Sequence, residues 1–322
     1  MSVSEFNIIE QFFVRKEGDR RDVVLGIGDD CALLNVPSDQ CLAVSMDTLN
    51  EGIHFLSGTA PADIAHKAIA VNLSDLAAMG AEPAWVSLSL SMPTAELGWL
   101  QSFSDTFHEL LHHYGLQVIG GDTTRGPLAI TLQVHGFVPE GVALKRSGAK
   151  AGDLVCVTGT LGDAALGLLI AEHRLAAQGE VRDHLLTRYY RPEPRVAAGI
   201  ALRVGASAAI DVSDGLVADL GHICKASEVG AVINADDIPL SEAATSVTTH
   251  ERALDCALTG GDDYELCFTV SEDNYRKVQS ALESVGVACY AVGRISGKSG
   301  VRILKDGEPL ELNKSGFDHF AS

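Results

Sequence analysis

Basic residues are scarce in this sequence. Its 322 residues contain 24 Lys plus Arg against 43 Asp plus Glu, so the formal net charge is −19. This shortage of positive charge argues against a general nucleic-acid binder, because proteins hold phosphate backbones with fields of Lys and Arg. It does not exclude a polyphosphate substrate, provided that divalent cations neutralise the repulsion between the protein and the phosphates.

Long apolar runs and paired cysteine motifs are also missing. No stretch of about 18 apolar residues suggests a membrane-spanning helix, and the first residues lack the pattern of a secretory signal peptide. The seven cysteines are scattered and never form a CxxC pair, and most lie in apolar stretches, where we expect buried, reduced thiols. These absences predict a cytoplasmic protein without membrane contact. A chain of this length needs no disulfide or structural metal to fold.

Strand-like and helix-like segments alternate along the whole chain, which predicts an α/β (α+β) fold. In the first half, apolar residues recur at helical spacing over 5–16, 62–79 and 94–114. The pattern restarts after the polar, glycine-rich segment KRSGAKAGD at 145–153. We therefore predict two α/β domains, residues 1–148 and 149–322. The phrases GGDTT and GGDDY recur, but two short matches do not establish a duplication.

Two segments resemble nucleotide-binding motifs without satisfying them. GRISGKSG at 293–300 has only three residues between Gly293 and Gly297, whereas a P-loop requires four and a following helix. The segment VRIL that follows is strand-like, so a hairpin turn is the better interpretation. GIGDDC lacks the last glycine of a dinucleotide-binding fingerprint, and a Rossmann site is not expected.

The segment His108-Glu-Leu-Leu-His112 matches the HExxH pattern of zinc hydrolases. On a helix the two histidines would face one metal, with Glu109 as the base. However, Val118 stands where the longer motif has a third His, and both histidines fall on the polar face of a predicted helix. A solvated helix surface is the preferred interpretation, and a zinc hydrolase stays the minor alternative.

Aspartates recur where apolar strands end in glycine-rich turns, in the segments GIGDD, SMDT, NLSD, GGDTT, DVSDG and GGDD. Any one of them could simply form a turn or cap a helix. Several carboxylates gathered at strand ends repel one another unless cations compensate them. Hard oxygen ligands without Cys–His sets suit Mg²⁺, which shares its coordination between carboxylates and substrate phosphates. The set therefore predicts a magnesium and phosphate site.

The ordered series GIGDDCALL, MDTLNEGIHF, HKAIAVNLSDLAAMGAEP, GGDTTRGPLAIT, LKRSGAKAGD, IDVSDGL and GGDDYEL resembles the thiamine-monophosphate kinases. The resemblance covers nearly the whole chain. It implies an N-terminal α/β domain that dimerises through its sheet, a C-terminal α/β domain that completes the active site, and ATP bound without a P-loop. Aminoimidazole ribonucleotide synthetase and selenophosphate synthetase share the broader pattern.

The resemblance also implies roles for individual residues. Magnesium ligands are implied at Asp30, Ser45, Met46, Asp47, Asp75, Asp122, Asp211 and Asp214. ATP contacts are implied at Gly121, Asp122, Arg146 and Ser213, and contacts to thiamine phosphate at His54, Asp262 and Phe317. The family often has Thr at the Met46 position, so Met46 could contribute only its backbone carbonyl. It also more often has Glu at the Asp262 position and another aromatic residue at the Phe317 position.

The residues alone leave other roles open for this set. Arg146 could be a surface residue of the linker, while His54 and Asp262 could cap turns. Phe317 could pin the C-terminal tail to the core rather than stack on a cationic ring. Asp262 would otherwise offset the positive thiazolium of the substrate.

The activity implied is the last step of thiamine diphosphate synthesis, in which the γ-phosphoryl group of ATP passes directly to thiamine monophosphate. The acceptor phosphate has a second pKa near 6 and needs no protein base. A related synthetase acting on another acceptor is the alternative. The chain ends FDHFAS without the terminal Cys of a hydrogenase-maturation relative, and Cys31 has no neighbouring Lys of the kind a selenophosphate synthetase uses. A module that only binds thiamine phosphates would not need so many carboxylates.

Overall fold

The computed structural model describes residues 5–14 and 20–312, with side chains described from Asn7 onward. The chain divides into two compact units. We call Met1–Leu76 with Ala81–Gly141 the N-terminal unit, and Ala77–Gly80 with Val142–Ser322 the C-terminal unit. Among the described residues, no helix has both the length and the apolar character that crossing a membrane requires.

The N-terminal unit is built on a four-stranded sheet with the order β3-β6-β4-β5. Only the β4–β5 pair is parallel. A separate antiparallel ribbon, β1–β2, packs near Trp85 of β4. The strands are β1 (Val23–Leu25), β2 (Leu33–Leu34), β3 (Gln40–Asn50), β4 (Glu82–Met92), β5 (Gln117–Arg125) and β6 (Ala129–Pro139).

One face of this sheet is buried, and the other is open along β3 but covered near Trp85 by the β1–β2 ribbon. Leu88 and Leu132, on neighbouring central strands, are buried, whereas Val44 and Met46 on β3 are half exposed or more. Strand alternation explains the difference, because successive side chains point to opposite faces. The helices are α1 (Glu5–Ile8), which continues as a π-helical turn over Ile9–Phe13, α2 (Pro61–Ala78) and α3 (Leu97–Tyr114).

The C-terminal unit is built on a seven-stranded sheet with the order β13-β12-β9-β11-β7-β10-β8. Its neighbouring strands are antiparallel except for β9 and β12. The strands are β7 (Leu154–Thr158), β8 (Ala206–Asp211), β9 (Gly230–Asn234), β10 (Leu266–Val270), β11 (Cys289–Ser296), β12 (Gly300–Lys305) and β13 (Glu308–Pro309).

Seven α-helices and a short 3₁₀ helix, Ala235–Asp237, accompany this sheet in the described part of the unit. The α-helices are α4 (Asp163–Ala171), α5 (Gly179–Tyr190), α6 (Val196–Leu202), α7 (Leu216–Ala226), α8 (Glu242–Val247), α9 (His250–Thr259) and α10 (Glu272–Ser284). The main core joins the central strands to α7 and α9 through residues such as Val157, Ile210, Leu220 and Leu258. A smaller core lies among α4, α5, α8 and α9.

The segment that resembles a P-loop connects β11 directly to β12, so the α/β fold without a P-loop is confirmed. The predicted hairpin at this position is wrong, because β9 lies between the two strands in the sheet. The connection passes over the start of β9 at Gly230, where an added Cβ would overlap the carbonyl oxygen of Lys298. Glycine at this position therefore permits the crossing.

Candidate active site

In the N-terminal unit, β3 and α2 bring together two of the predicted aspartates. Ser45 and Asp47 lie on the same face of β3, because side chains alternate along a strand. The Ser45 hydroxyl donates a hydrogen bond to the Asp75 carboxylate, and the Asp47 amide donates to Asn72 Oδ1 at 3.1 Å. Asn72 and Asp75, three residues apart on α2, present one helix face to this strand.

The electrostatics of this pair favour a cation. Burial, reinforced by the neighbouring Asp75 charge, raises the pKa of Asp47 to about 6. Two carboxylates in a partly buried place stay ionised together only when positive charge offsets their repulsion. Among the described residues, no three His, Cys, Asp or Glu side chains converge as a metal site. A pair with a hydroxyl still fits Mg²⁺, which is often held by one or two carboxylates plus substrate phosphates.

Met46 and Asp122 lie elsewhere on the same sheet. The Met46 side chain is 60% exposed on the open face, opposite Ser45 and Asp47. Asp122 is on β5, at the other edge of the sheet from β3, which corresponds to about 14 Å across three strand spacings. It pairs with the exposed Ser89 and therefore shares the open face. Within one chain, neither the Met46 side chain nor the Asp122 side chain lies beside Ser45, Asp47 and Asp75.

Asp30 and His54 occupy loops of the N-terminal unit. Asp30 is exposed between β1 and β2, and its amide donates to Asp29 Oδ1 at 2.8 Å. His54 follows β3 in a turn in which its Nδ1 accepts from the Asn50 amide at 3.0 Å. A neutral His54 ring therefore carries its proton on Nε2.

In the C-terminal unit, the segments DVSDG and GGDDYE lie side by side at the ends of the paired strands β8 and β10. The Asp262 amide donates to the Ser213 carbonyl at 2.9 Å, and the Tyr264 amide donates to the Val212 carbonyl at 2.9 Å. The structure therefore brings together Asp211, Ser213, Asp214 and Asp262, which were predicted to contact metal, ATP or substrate. Ser213 and Asp214 stay partly exposed.

A buried carboxylate that was not predicted holds this turn in place. Asp219, in the first turn of α7, is 2% exposed, and its Oδ2 accepts from the amides of Ser213, Asp214 and Gly215 at 3.1 Å each. Burial raises the pKa of Asp219 to about 7, although the amide hydrogen bonds lower it. The sequence feature that could have identified Asp219 is an acid on the apolar face of a helix, between Leu216 and Leu220.

The Asp262 loop is held in an uncommon backbone conformation. Asp262 and Tyr264 have φ values of 70° and 52°, and the Tyr264 hydroxyl donates to Asp262 Oδ1 at 3.1 Å. Left-handed non-glycine residues persist where their surroundings determine them, often at functional sites. Here the buried Glu265 accepts from Arg195 at 2.7 and 2.6 Å and from Arg188 at 2.9 Å. These arginines anchor the loop that presents Asp262, and the sequence pattern did not identify them.

Arg146 lies in a loop attached to the end of α7. The Ser227 hydroxyl donates to the Arg146 carbonyl at 3.1 Å and accepts from the amides of Gly148 and Ala149 at 3.1 Å each. The backbone around Arg146 is thus held, while its side chain is exposed. Phe317, the remaining predicted substrate contact, lies outside the described residues.

The HExxH segment does not form a metal site in the described part of the chain. The His108 ring bonds the Phe12 carbonyl through Nε2 at 2.8 Å, and His112 is exposed on the same helix. No further His, Cys, Asp or Glu within the described ranges completes a three-ligand group there. The polar helix surface is the better interpretation of this motif.

Comparison with known proteins places the chain in a family. Residues 28–138 match the model of the N-terminal domain of AIR synthase related proteins, and residues 150–306 match that of their C-terminal domain. The chain is 53% identical over 324 residues to the thiamine-monophosphate kinase of Escherichia coli (strain K12), covering 100% of both sequences. The chain belongs to the thiamine-monophosphate kinase family.

Solved structures of this family match the described fold. The thiamine-monophosphate kinase from Stenotrophomonas maltophilia K279a has a TM-score of 0.85 at 47% identity, covering 91% of this chain and 93% of that one. A structure described as AaThiL complexed with AMPPCP and TMP has a TM-score of 0.79 at 30% identity, covering 99% and 97%. The predicted resemblance to the thiamine-monophosphate kinase family is therefore confirmed.

Proposed function

We propose that this chain transfers the γ-phosphoryl group of ATP to thiamine monophosphate and releases thiamine diphosphate and ADP. The observation that carries the proposal is the full-length similarity, at 53% identity, to the E. coli thiamine-monophosphate kinase. The related structure with AMPPCP and TMP supports the pair of substrates. Because the acceptor is itself a phosphate with a second pKa near 6, it is largely dianionic at neutral pH and requires no protein base.

The reaction has to bring two anionic phosphates into line, and the aspartates described above suit this task because they could hold Mg²⁺. In the N-terminal unit, Asp47 and Asp75, with the Ser45 hydroxyl, would hold Mg²⁺, and Asp30 and Asp122 are further proposed ligands. Bound magnesium supplies positive charge that offsets the repulsion between the phosphates. We propose the same role for Asp211 and Asp214 of the C-terminal unit. Met46 would contribute only its backbone carbonyl.

The remaining side chains are proposed to bind the substrates. Arg146 presents a guanidinium suited to bidentate phosphate contact, and Ser213 and Gly121 would contact ATP. His54 would donate to the phosphate of thiamine monophosphate. The Asp262 carboxylate would offset the positive thiazolium, while Phe317 would stack on it. Direct in-line transfer requires no covalent intermediate on the protein.

We also propose that two copies of the chain associate through the open face of the N-terminal sheet. Leu42, Val44 and Met46 expose 40%, 50% and 60% of their surface on alternate positions of β3. Apolar residues grouped on one sheet face favour a partner surface, and the family resemblance implies a dimer. We likewise propose that the two domains divide after residue 148.

The deciding experiment incubates the purified protein with ATP, MgCl₂ and thiamine monophosphate and follows thiamine diphosphate by chromatography. We expect product only with all three components, and none when EDTA replaces MgCl₂ or thiamine replaces its monophosphate. Product formed from ATP and another acceptor, without any thiamine diphosphate in the first reaction, would instead assign the chain to the related synthetases.

A further inference from the structure

Helix α7 contacts both nucleotide-associated segments of the C-terminal unit. At its start, a single oxygen of Asp219 accepts three successive amides of the turn that contains Ser213 and Asp214, at 3.1 Å each. Hydrogen bonds to a carboxylate are stronger than those to neutral acceptors. Three of them on one oxygen determine the path of the turn, while the side chains of Ser213 and Asp214 stay partly exposed.

The other side of this turn is held by the Asp262 loop. The Asp262 amide donates to the Ser213 carbonyl at 2.9 Å. An added Cβ at Gly261 would lie 2.5 Å from that same carbonyl oxygen, so the two segments approach as closely as glycine allows. The turn is therefore enclosed between Asp219 and the Gly261–Asp262 backbone and has little freedom to move.

At its other end, α7 holds the loop of Arg146. Ser227, directly after Ala226, joins this loop through three hydrogen bonds of 3.1 Å, to the Arg146 carbonyl and the amides of Gly148 and Ala149. Helix α7 is fixed in the core by Leu216, Leu220 and Ile223, each 0% exposed. With its 11 residues, α7 is about 16 Å long.

We propose that Asp219 and Ser227 are positioning residues for the nucleotide, and that α7 sets the separation between the Ser213–Asp214 turn and Arg146. Neither residue is required to touch the ligand. Their contribution is to hold the groups that do. The inference rests on the proposed function, because Ser213, Asp214 and Arg146 contact ATP and its metal only under that proposal.

Direct binding of Mg·AMPPCP, measured by calorimetry without thiamine monophosphate, tests the proposal. We expect Asp219→Ala to weaken binding about tenfold or more, the range found when groups that orient metal ligands are removed. Asp219→Asn keeps an amide oxygen that can accept from the turn, so it should recover most of the affinity. Loss of the Ser227 hydroxyl in Ser227→Ala removes hydrogen bonds only, and we expect about a two- to tenfold loss.

Two matched variants separate positioning from stability. Asp163 is equally buried and bonds Thr160 and Ser241 through its carboxylate, so Asp163→Ala should lower the melting temperature without weakening Mg·AMPPCP binding. Ser246, whose exposed hydroxyl donates to Ala243 at 2.9 Å, is the control for Ser227.

In the kinetic assay, Asp219→Ala should raise the KM for MgATP and leave the KM for thiamine monophosphate within about twofold, as expected when only nucleotide binding is lost.

Wild-type affinity in a folded Asp219→Ala protein would overturn the proposal, as would an equal loss of affinity in Asp163→Ala. If Asp219→Ala does not fold, Ser227→Ala decides, and unchanged binding in that variant refutes the role of α7. A wild-type protein that binds Mg·AMPPCP but forms no thiamine diphosphate would refute the proposed function alone. The positioning test would still stand, since it needs no acceptor.

Discussion

At the scale of single residues, the Asp47–Asp75 pair predicts a dependence on magnesium. Burial and the Asp75 charge raise the pKa of Asp47 to about 6, so an unbound pair is electrostatically unfavourable at neutral pH. Asp47→Asn removes one charge and one proposed metal ligand. We expect kcat/KM to fall at least about tenfold at a fixed Mg²⁺ concentration, and the Mg²⁺-induced increase in melting temperature to shrink.

Asp39→Asn provides the comparison, because Asp39 is an exposed acid beside the start of β3. This variant should keep both the activity and the thermal response to Mg²⁺. If Asp47→Asn retained wild-type turnover at saturating Mg²⁺, Asp47 would not be a metal ligand.

Asp263 predicts a pH dependence of stability. Burial raises its pKa to about 8 from 3.8, even though Arg188 and the Gly162 amide lower it. Between these two values the folded protein retains a proton that the unfolded chain has lost. Stability from this group is therefore present at low pH and is lost as the pH rises toward 8. Asp263→Asn stays neutral throughout, so its melting temperature relative to wild type should increase from pH 5 to pH 9.

The exposed Asp273→Asn is the control for this comparison, and its difference from wild type should vary little over the same range. A constant difference between Asp263→Asn and wild type from pH 5 to pH 9 would show that Asp263 is ionised in the folded state.

At the scale of elements, β5 depends on one of two adjacent glycines. An added Cβ at Gly121 would overlap the carbonyl oxygen of Leu88 on β4, whereas nothing lies within 4 Å of the corresponding position at Gly120. Gly121→Ala should lower the free energy of unfolding by about 1–3 kcal/mol, the usual cost of forcing atoms into a packed site. Gly120→Ala should change it by less than about 1 kcal/mol. Urea denaturation of both variants measures the contrast, and equal values would contradict it.

The sequence pattern predicted the long elements well, and the reason is physical. Helices α2 and α3 each bury many apolar side chains, so their helical period is strong, and each ends at or within two residues of a glycine, Gly80 or Gly115. Helices α5, α6, α8 and α9 were not predicted. In α5 only Leu185 and Tyr189 are buried, which gives too short an apolar stripe. The order of strands was also inaccessible, which is why the connection over β9 was predicted as a hairpin.

The same limit applied to the candidate site. Aspartates at strand ends are visible in the sequence, but the proximity of Ser213 to Asp262 depends on the pairing of β8 with β10. The separation of Asp122 from Asp47 likewise depends on sheet order. The sequence pattern did not identify Arg195 and Glu265, because their role depends on a contact between residues 70 positions apart. Only Asp219 offered a local signal, as an acid in an apolar helix face.

At the scale of the whole molecule, the acidic charge has two different sources. The proposed metal ligands include six of the 43 acids, and several of these are partly buried. Most of the remaining excess lies on exposed side chains, where it favours solubility and repels nucleic acid. The net charge of −19 therefore describes the surface more than the site. An acidic protein is compatible with ATP as a substrate because the relevant charges are local.

Self-association is the property that the open face of the N-terminal sheet predicts. Val44 is 50% exposed in the middle of β3, between Leu42 and Met46. If a second copy covers this face, Val44→Glu buries an unpaired charge, which costs several kcal/mol and should raise the dimer dissociation constant at least about a hundredfold. Val285, 40% exposed at the end of α10, lies on the other unit, so Val285→Glu should leave association unchanged. Sedimentation velocity distinguishes these outcomes, and a wild-type species at the chain mass of 34.0 kDa would refute the dimer.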